Sequence, residues 1–116
     1  MVADVEPAGA EAARSRFGFA RATTDWRALV ADPAVELVSI TTPNTLHKEM
    51  ALAALAAGKH VWCEKPLALT AADTAELVAA AERAGTTTLV GYNYLRSPAV
   101  AFAKKLIDGG EIGAVT

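Results

Sequence analysis

Among the 116 residues, the tripeptide Glu64-Lys65-Pro66 has the residue types nearest to chemistry. A lysine beside a glutamate, followed by a proline that restricts the lysine backbone, can hold an ammonium in fixed geometry at the mouth of a crevice. There it orients a substrate hydroxyl, and once desolvated it gains acid–base competence. The competing use is a surface ion pair ahead of a loop; the apolar run Val61-Trp62-Cys63 directly before it favours the functional reading. Thr41-Thr42-Pro43-Asn44 brings hydroxyls, an amide and the free amides of a helix start together, where the dipole favours negative charge. Helix capping is the alternative for Asn44 or Thr45. His47 falls in the first turn of that helix, where the dipole opposes protonation, so a neutral hydrogen-bonding role is expected rather than general-base catalysis. In Gly91-Tyr92-Asn93-Tyr94-Leu95-Arg96, Asn93 can bond an amide or a sugar hydroxyl, while Tyr92, Tyr94 and Arg96 are equally suited to an interface. Cys63 reads as a small buried hydrophobe. His47 and His60 lack metal-ligand spacing, and no metal site is expected.

These residues need elements to hold them. Short β-branched runs alternate with alanine-rich helical stretches, the order of an α/β domain with a parallel sheet. Met1–Asp4 reads as the tail of a strand. Pro7 suits a first helical position, with a helix from Ala8 to Phe17 closed at Gly18. A very short strand is expected at Ala20–Thr23, then a brief helix capped by Asp25 and closed by Asp32-Pro33. Val35–Thr41 is β-branched enough to be a strand buried on both faces. A helix then runs through Leu46, Met50, Ala53 and Ala57 to Gly58. Lys59–Cys63 is the next strand. Thr70 and Asp73 form a variant capping box opening a helix through Leu77, Val78 and Ala81 to Gly85. Thr86–Val90 is a strand, and Ser97-Pro98 starts a last amphipathic helix with Val100, Ala103, Leu106 and Ile107 on one face. The closing Gly113-Ala114-Val115-Thr116 is expected to begin another strand.

Composition narrows the functional classes. Hydrophobic residues at 53% and charged residues at 21% suit one folded domain rather than a disordered chain. A net charge of -2 gives no basic field for nucleic acid or an acidic membrane. A single cysteine and the absence of a secretory-type start point to a reducing cytoplasm.

Right-handed crossovers make successive strands parallel and put Asp4, Thr41–Asn44, Glu64–Pro66 and Gly91–Asn93 past the carboxyl ends of four strands, on one edge. In open parallel sheets that edge holds the ligand crevice. An acid at the end of the second strand of a dinucleotide fold accepts from ribose hydroxyls. Asp4 is followed by Val5 and Glu6, with no adjacent Arg or Lys for a 2'-phosphate, which favours NAD over NADP. A solvated acid near a helix start is the alternative for Asp4.

Three blocks in order, TTPNTLHKEMALAALAAGKHVWCEKPLALT, VGYNYLRSP and LIDGGEIGAVT, resemble the Gfo/Idh/MocA oxidoreductases. The resemblance implies a Rossmann-like doubly wound parallel sheet with helices on both faces, binding NAD (NADP less suited), and a second α/β domain carrying much of the substrate site and the oligomer interface. It implies Lys65 beside the nicotinamide and the reacting hydroxyl of a sugar, cyclitol or similar secondary alcohol. Glu64 and a cis Pro66 would shape that turn. Thr41, Thr42, Pro43, Asn44 and His47 would lie on the cofactor side, Asn93 and Arg96 near the nicotinamide, and Asp4 at the adenosine ribose. Against the family pattern, the first strand and glycine-rich loop are expected to be lacking before Asp4, and the second domain to begin near residues 113–116. The chain alone is therefore expected to be marginally stable or to associate, and not to turn over substrate. A non-enzymatic nucleotide-binding regulator is the rival reading, and an intact EKP favours enzymatic ancestry.

Overall fold

The computed structural model describes residues 1–114. The chain runs β1 (Val2–Ala3), α1 (Pro7–Phe17), β2 (Ala22–Thr23), α2 (Trp26–Ala31), β3 (Leu37–Ile40), α3 (Asn44–Ala56), β4 (His60–Cys63), α4 (Ala71–Ala84), β5 (Thr88–Val90), a 3₁₀ turn at Asn93–Arg96 and α5 (Pro98–Asp108). All pairings are parallel, as the crossover pattern requires, but the strands form two sheets: β1-β2 and β3-β4-β5. Strands β1 and β3 are each an edge.

Local signals explain most boundaries. Pro7 occupies the start of α1, where a missing N–H costs nothing, and α1 and α4 close on left-handed Gly18 and Gly85. Asp25 caps α2 by accepting from the Arg27 amide at 2.9 Å, and Thr70 caps α4 by accepting from the Asp73 amide at 3.1 Å. Helix α3 departs from expectation: its N-cap is Pro43, with no side-chain cap, so neither Asn44 nor Thr45 serves that role.

Strand β3 is shorter than the β-branched run and is not buried on both faces. Its residues alternate, with Val38 and Ile40 buried and Leu37 57% exposed. The register puts Ile40, Cys63 and Val90 side by side on the face that meets α3 and α4. The opposite face carries Leu37, Ser39 and Leu89 exposed, since α3 and α4 share one side of this sheet. The core is that one contact layer: Val38, Ile40, Val61 and Cys63 against Met50, Ala51, Ala54 and Leu55 of α3 and Leu77 and Ala80 of α4.

Beyond β5, α5 packs against the 3₁₀ turn. None of its residues is buried, so its apolar face, including Val100 and Ile107, has no cover among the described residues. The radius of gyration is accordingly 17.8 Å, against about 13 Å for a compact chain of this length. Residues 113–114 are not in a strand, and Val115 and Thr116, where one was expected to continue, lie outside the described residues.

Candidate functional site at the carboxyl edge of the sheet

The in-register row Ile40, Cys63 and Val90 ends β3, β4 and β5 at one level, so the segments that follow emerge on one edge. Backbone bonds lock them there: the Glu64 amide donates to Ile40 at 2.9 Å and the Gly91 amide to Cys63 at 2.8 Å. Three of the four expected strand ends are thereby brought together.

At the β4 end the Lys65–Pro66 bond is cis. The Glu64 carboxylate does not hold the lysine ammonium; Oε2 accepts from the Lys65 backbone amide at 3.0 Å. Lys65 is exposed, with no ion pair or side-chain hydrogen bond among the described residues, so the desolvation expected of it is not met within this chain. Glu64 shapes the turn, and Lys65 is left free to reach a ligand. At the β3 end Thr41, Pro43 and Asn44 are exposed, while Thr42 is half-buried with its hydroxyl donating to Met50 Sδ at 3.5 Å. Thr42 thus offers the edge no hydroxyl. No side chain caps the first-turn amides of α3.

His47 is fully buried, at 0% exposure, which removes it from direct contact with a cofactor. Its Nδ1 lies 2.8 Å from the Pro66 carbonyl oxygen and its Nε2 2.9 Å from that of Thr42, so it bridges the two turns. At the β5 end Asn93 and Arg96, the first and last residues of the 3₁₀ turn, are both exposed. Gly91 is demanded by close approach: a Cβ there would lie 2.9 Å from Trp62 Cζ2 and 3.2 Å from Glu64 Oε1. Sequence reading missed this stacking of Trp62 and Glu64 over Gly91. Its only trace was a glycine one residue past a strand.

Asp4 belongs to the other sheet. Its Oδ1 accepts from the Glu6 amide at 2.9 Å, and its carboxylate covers Gly9, where a Cβ would meet it at 3.0 Å. That carboxylate orders the start of α1 and keeps Oδ2 without a hydrogen-bond partner among the described residues. No strand pairing or hydrogen bond among them joins Asp4 to the other three strand ends.

Two further polar features stabilise rather than react. Lys48 on α3 pairs with Asp73 at 2.5 Å and Glu76 at 2.6 Å on α4, and those contacts raise the lysine above its ordinary pKa while Lys48 holds Asp73 below the usual carboxylate range. Burial, aided by the Glu64 charge, pushes the Cys63 thiol up to about 11. It is a core residue rather than a nucleophile. A cavity of about 150 Å³ between α3, α4, β4 and β5 is lined by Leu55, Val61, Leu77 and Ala81. It is apolar and lies beneath the edge, a packing gap rather than a polar site.

Parallel strands whose following turns gather on one carboxyl edge are the arrangement of a dinucleotide-binding domain. The chain belongs to the Gfo/Idh/MocA family: the family model described as an oxidoreductase family with an NAD-binding Rossmann fold matches residues 1–92. Levoglucosan dehydrogenase of Pseudarthrobacter phenanthrenivorans is 45% identical over 115 residues, 99% of this chain and 30% of that protein. Inositol 2-dehydrogenase of Salmonella typhimurium is 38% identical, covering 97% of this chain and 34% of its own length. A solved levoglucosan dehydrogenase in complex with NADH and levoglucosan superposes with a TM-score of 0.86 at 47% identity, over 97% of this chain and 30% of that one. The chain thus spans about a third of the length of these relatives.

Proposed function

We propose that the chain is the nucleotide-binding part of an NAD-dependent dehydrogenase acting on a sugar, anhydrosugar or cyclitol. The observation that carries this is the carboxyl edge itself, where an unpaired Lys65, the uncapped start of α3 and exposed Asn93 and Arg96 follow three strands held in register. The donor set fits a dinucleotide: neutral donors and acceptors at Thr41, Asn44 and Asn93, the cation of Arg96, and Asp4 for ribose hydroxyls with no basic neighbour in sequence to favour a 2'-phosphate. When bound, NAD would supply the hydride acceptor for the carbinol hydrogen. Lys65 would orient the substrate hydroxyl and, as a free amine, take up its proton, with Glu64 setting the lysine backbone. The levoglucosan and inositol dehydrogenases support the substrate class by their names alone. In the same reading the full-length protein works in the cytoplasm as a homo-oligomer, with no nucleic-acid or membrane partner.

The chain alone is expected not to turn over substrate, so the test is NADH formation by the full-length protein of which it is the nucleotide-binding part, with a panel of anhydrosugars, aldoses and cyclitols, alongside Lys65→Met. Turnover on one class, lowered by about 10²-fold or more in the variant as expected for loss of acid–base assistance, supports the reading. Turnover unaffected by Lys65→Met contradicts the role of Lys65, and failure of the protein to bind NADH at any edge residue contradicts the site.

A further inference from the structure

The two histidines are held in opposite hydrogen-bonding roles. Exposed His60 receives the Thr87 amide on Nδ1 at 3.0 Å, which requires an unprotonated nitrogen there. Buried His47 faces a backbone carbonyl oxygen with each ring nitrogen, Pro66 at 2.8 Å and Thr42 at 2.9 Å. A carbonyl can only accept, so both contacts are hydrogen bonds only if both ring nitrogens carry protons. A neutral ring would press one lone pair against a carbonyl lone pair in a fully buried site. We propose that His47 is an imidazolium strap that ties the β3–α3 turn to the Glu64-Lys65-Pro66 turn and so acts as a positioning residue for Lys65. The dipole at the start of α3, from which sequence alone suggested a neutral ring, opposes this charge, and the two carbonyl oxygens, seen only in the folded chain, reverse that expectation through two charge-assisted bonds. The ionisable groups on the elements packed around it are Lys48 and Glu49 on α3, Arg27 on α2, Cys63, Glu64 and Lys65 at the end of β4, and Asp73 and Glu76 on α4. Lys48 is engaged by Asp73 and Glu76 and Arg27 by Glu49, which leaves Glu64 and Lys65 as the charges on the strapped turn.

Only the positioning half rests on the proposed role of Lys65; the strap rests on geometry. Ring-nitrogen NMR of the purified chain near neutral pH, with His60→Gln assigning the remaining signal, reads the strap directly. His47 is expected to show two protonated nitrogens with slowly exchanging protons, and His60 one protonated and one unprotonated nitrogen. One unprotonated nitrogen on His47 overturns the strap, as do two histidines that titrate alike, the behaviour of unpacked rings. Positioning is read from amide exchange in His47→Gln. The Glu64 and Lys65 amides are expected to exchange about tenfold faster or more, while those of Val38 and Val61 in the sheet are unchanged. A uniform rise, or none at Glu64 and Lys65, overturns it. An error in the catalytic role of Lys65 would leave both readouts as expected and show only in turnover.

Discussion

The β1–α1–β2 unit and the β3–α3–β4–α4–β5 unit use the same alternation of strand and helix, yet bury very different amounts. In the second, side chains of β3 and β4 meet α3 and α4 and supply ten buried core positions, with Val30 of α2 the eleventh. In the first, two two-residue strands pair and Ala10 alone is buried. What holds the first unit is local: the Asp4 turn, the Gly18 cap and a Glu11–Arg14 bidentate pair within α1. Parallel pairing over two half-buried residues gives little, because extensive packing against a helix layer is what makes a parallel sheet stable. The edge that carries Lys65 stands on the well-packed unit, and Asp4 stands on the other.

The largest expected effect is in the packed unit. Ile40 is 2% exposed between α3 and the sheet, and Ile40→Ala should cost about 3 kcal/mol by urea denaturation. Val5, 79% exposed beside β1, should cost less than about 0.5 kcal/mol when replaced by Ala. Equal costs would erase the distinction between the units. Next in size, Gly91→Ala should cost about 1–3 kcal/mol through overpacking against Trp62 and Glu64. Trp62 fluorescence should shift with it, whereas an unchanged spectrum and stability would mean that the close approach does not exist.

The smallest effect separates tertiary from local ion pairs by pH. Asp73 has its pKa lowered by Lys48, so its contribution is full above the ordinary aspartate value and is lost as pH falls through the depressed one. Lys48 has its pKa raised by Asp73 and Glu76, so its contribution is full below the ordinary lysine value and is lost as pH rises through the elevated one. Asp73→Asn should therefore flatten the acid limb of global stability measured by thermal melts. Glu11→Gln, whose pair with Arg14 lies within one helix, should change that limb less. The reverse order would place the tertiary clamp in the wrong unit.

How much was legible in the sequence follows the same division. Strands β4 and β5 and helices α3 and α4 were readable because Val61-Trp62-Cys63, the alanine-rich faces and Thr70, Gly58 and Gly85 all point one way. The β3 run misled, since continuous β-branched residues suggest burial on both faces, whereas cover depends on which helices lie across the sheet. The placement of Thr41–Asn44, Glu64–Pro66 and Gly91–Asn93 on one edge followed from chain direction alone. Side-chain aim did not: Thr42 turns to Met50, Glu64 turns to its own backbone, and His47 lies beneath the site. Those outcomes depend on atoms brought together from distant segments, as with the Pro66 carbonyl nineteen positions from His47. The clamp of Lys48 on α4 left no local pattern for the same reason.

The central claim is that the carboxyl edge of β3–β5 receives the nicotinamide dinucleotide. It is tested most directly by following backbone amide signals of the chain during titration with NADH. The expected result is shifts concentrated at Thr41, Thr42, Asn44, Glu64, Lys65, Asn93 and Arg96, with affinity for the chain alone no tighter than the millimolar range, about -4 kcal/mol. Shifts confined to the apolar cavity beneath α4, or to the exposed face around Leu37 and Leu89, would contradict it.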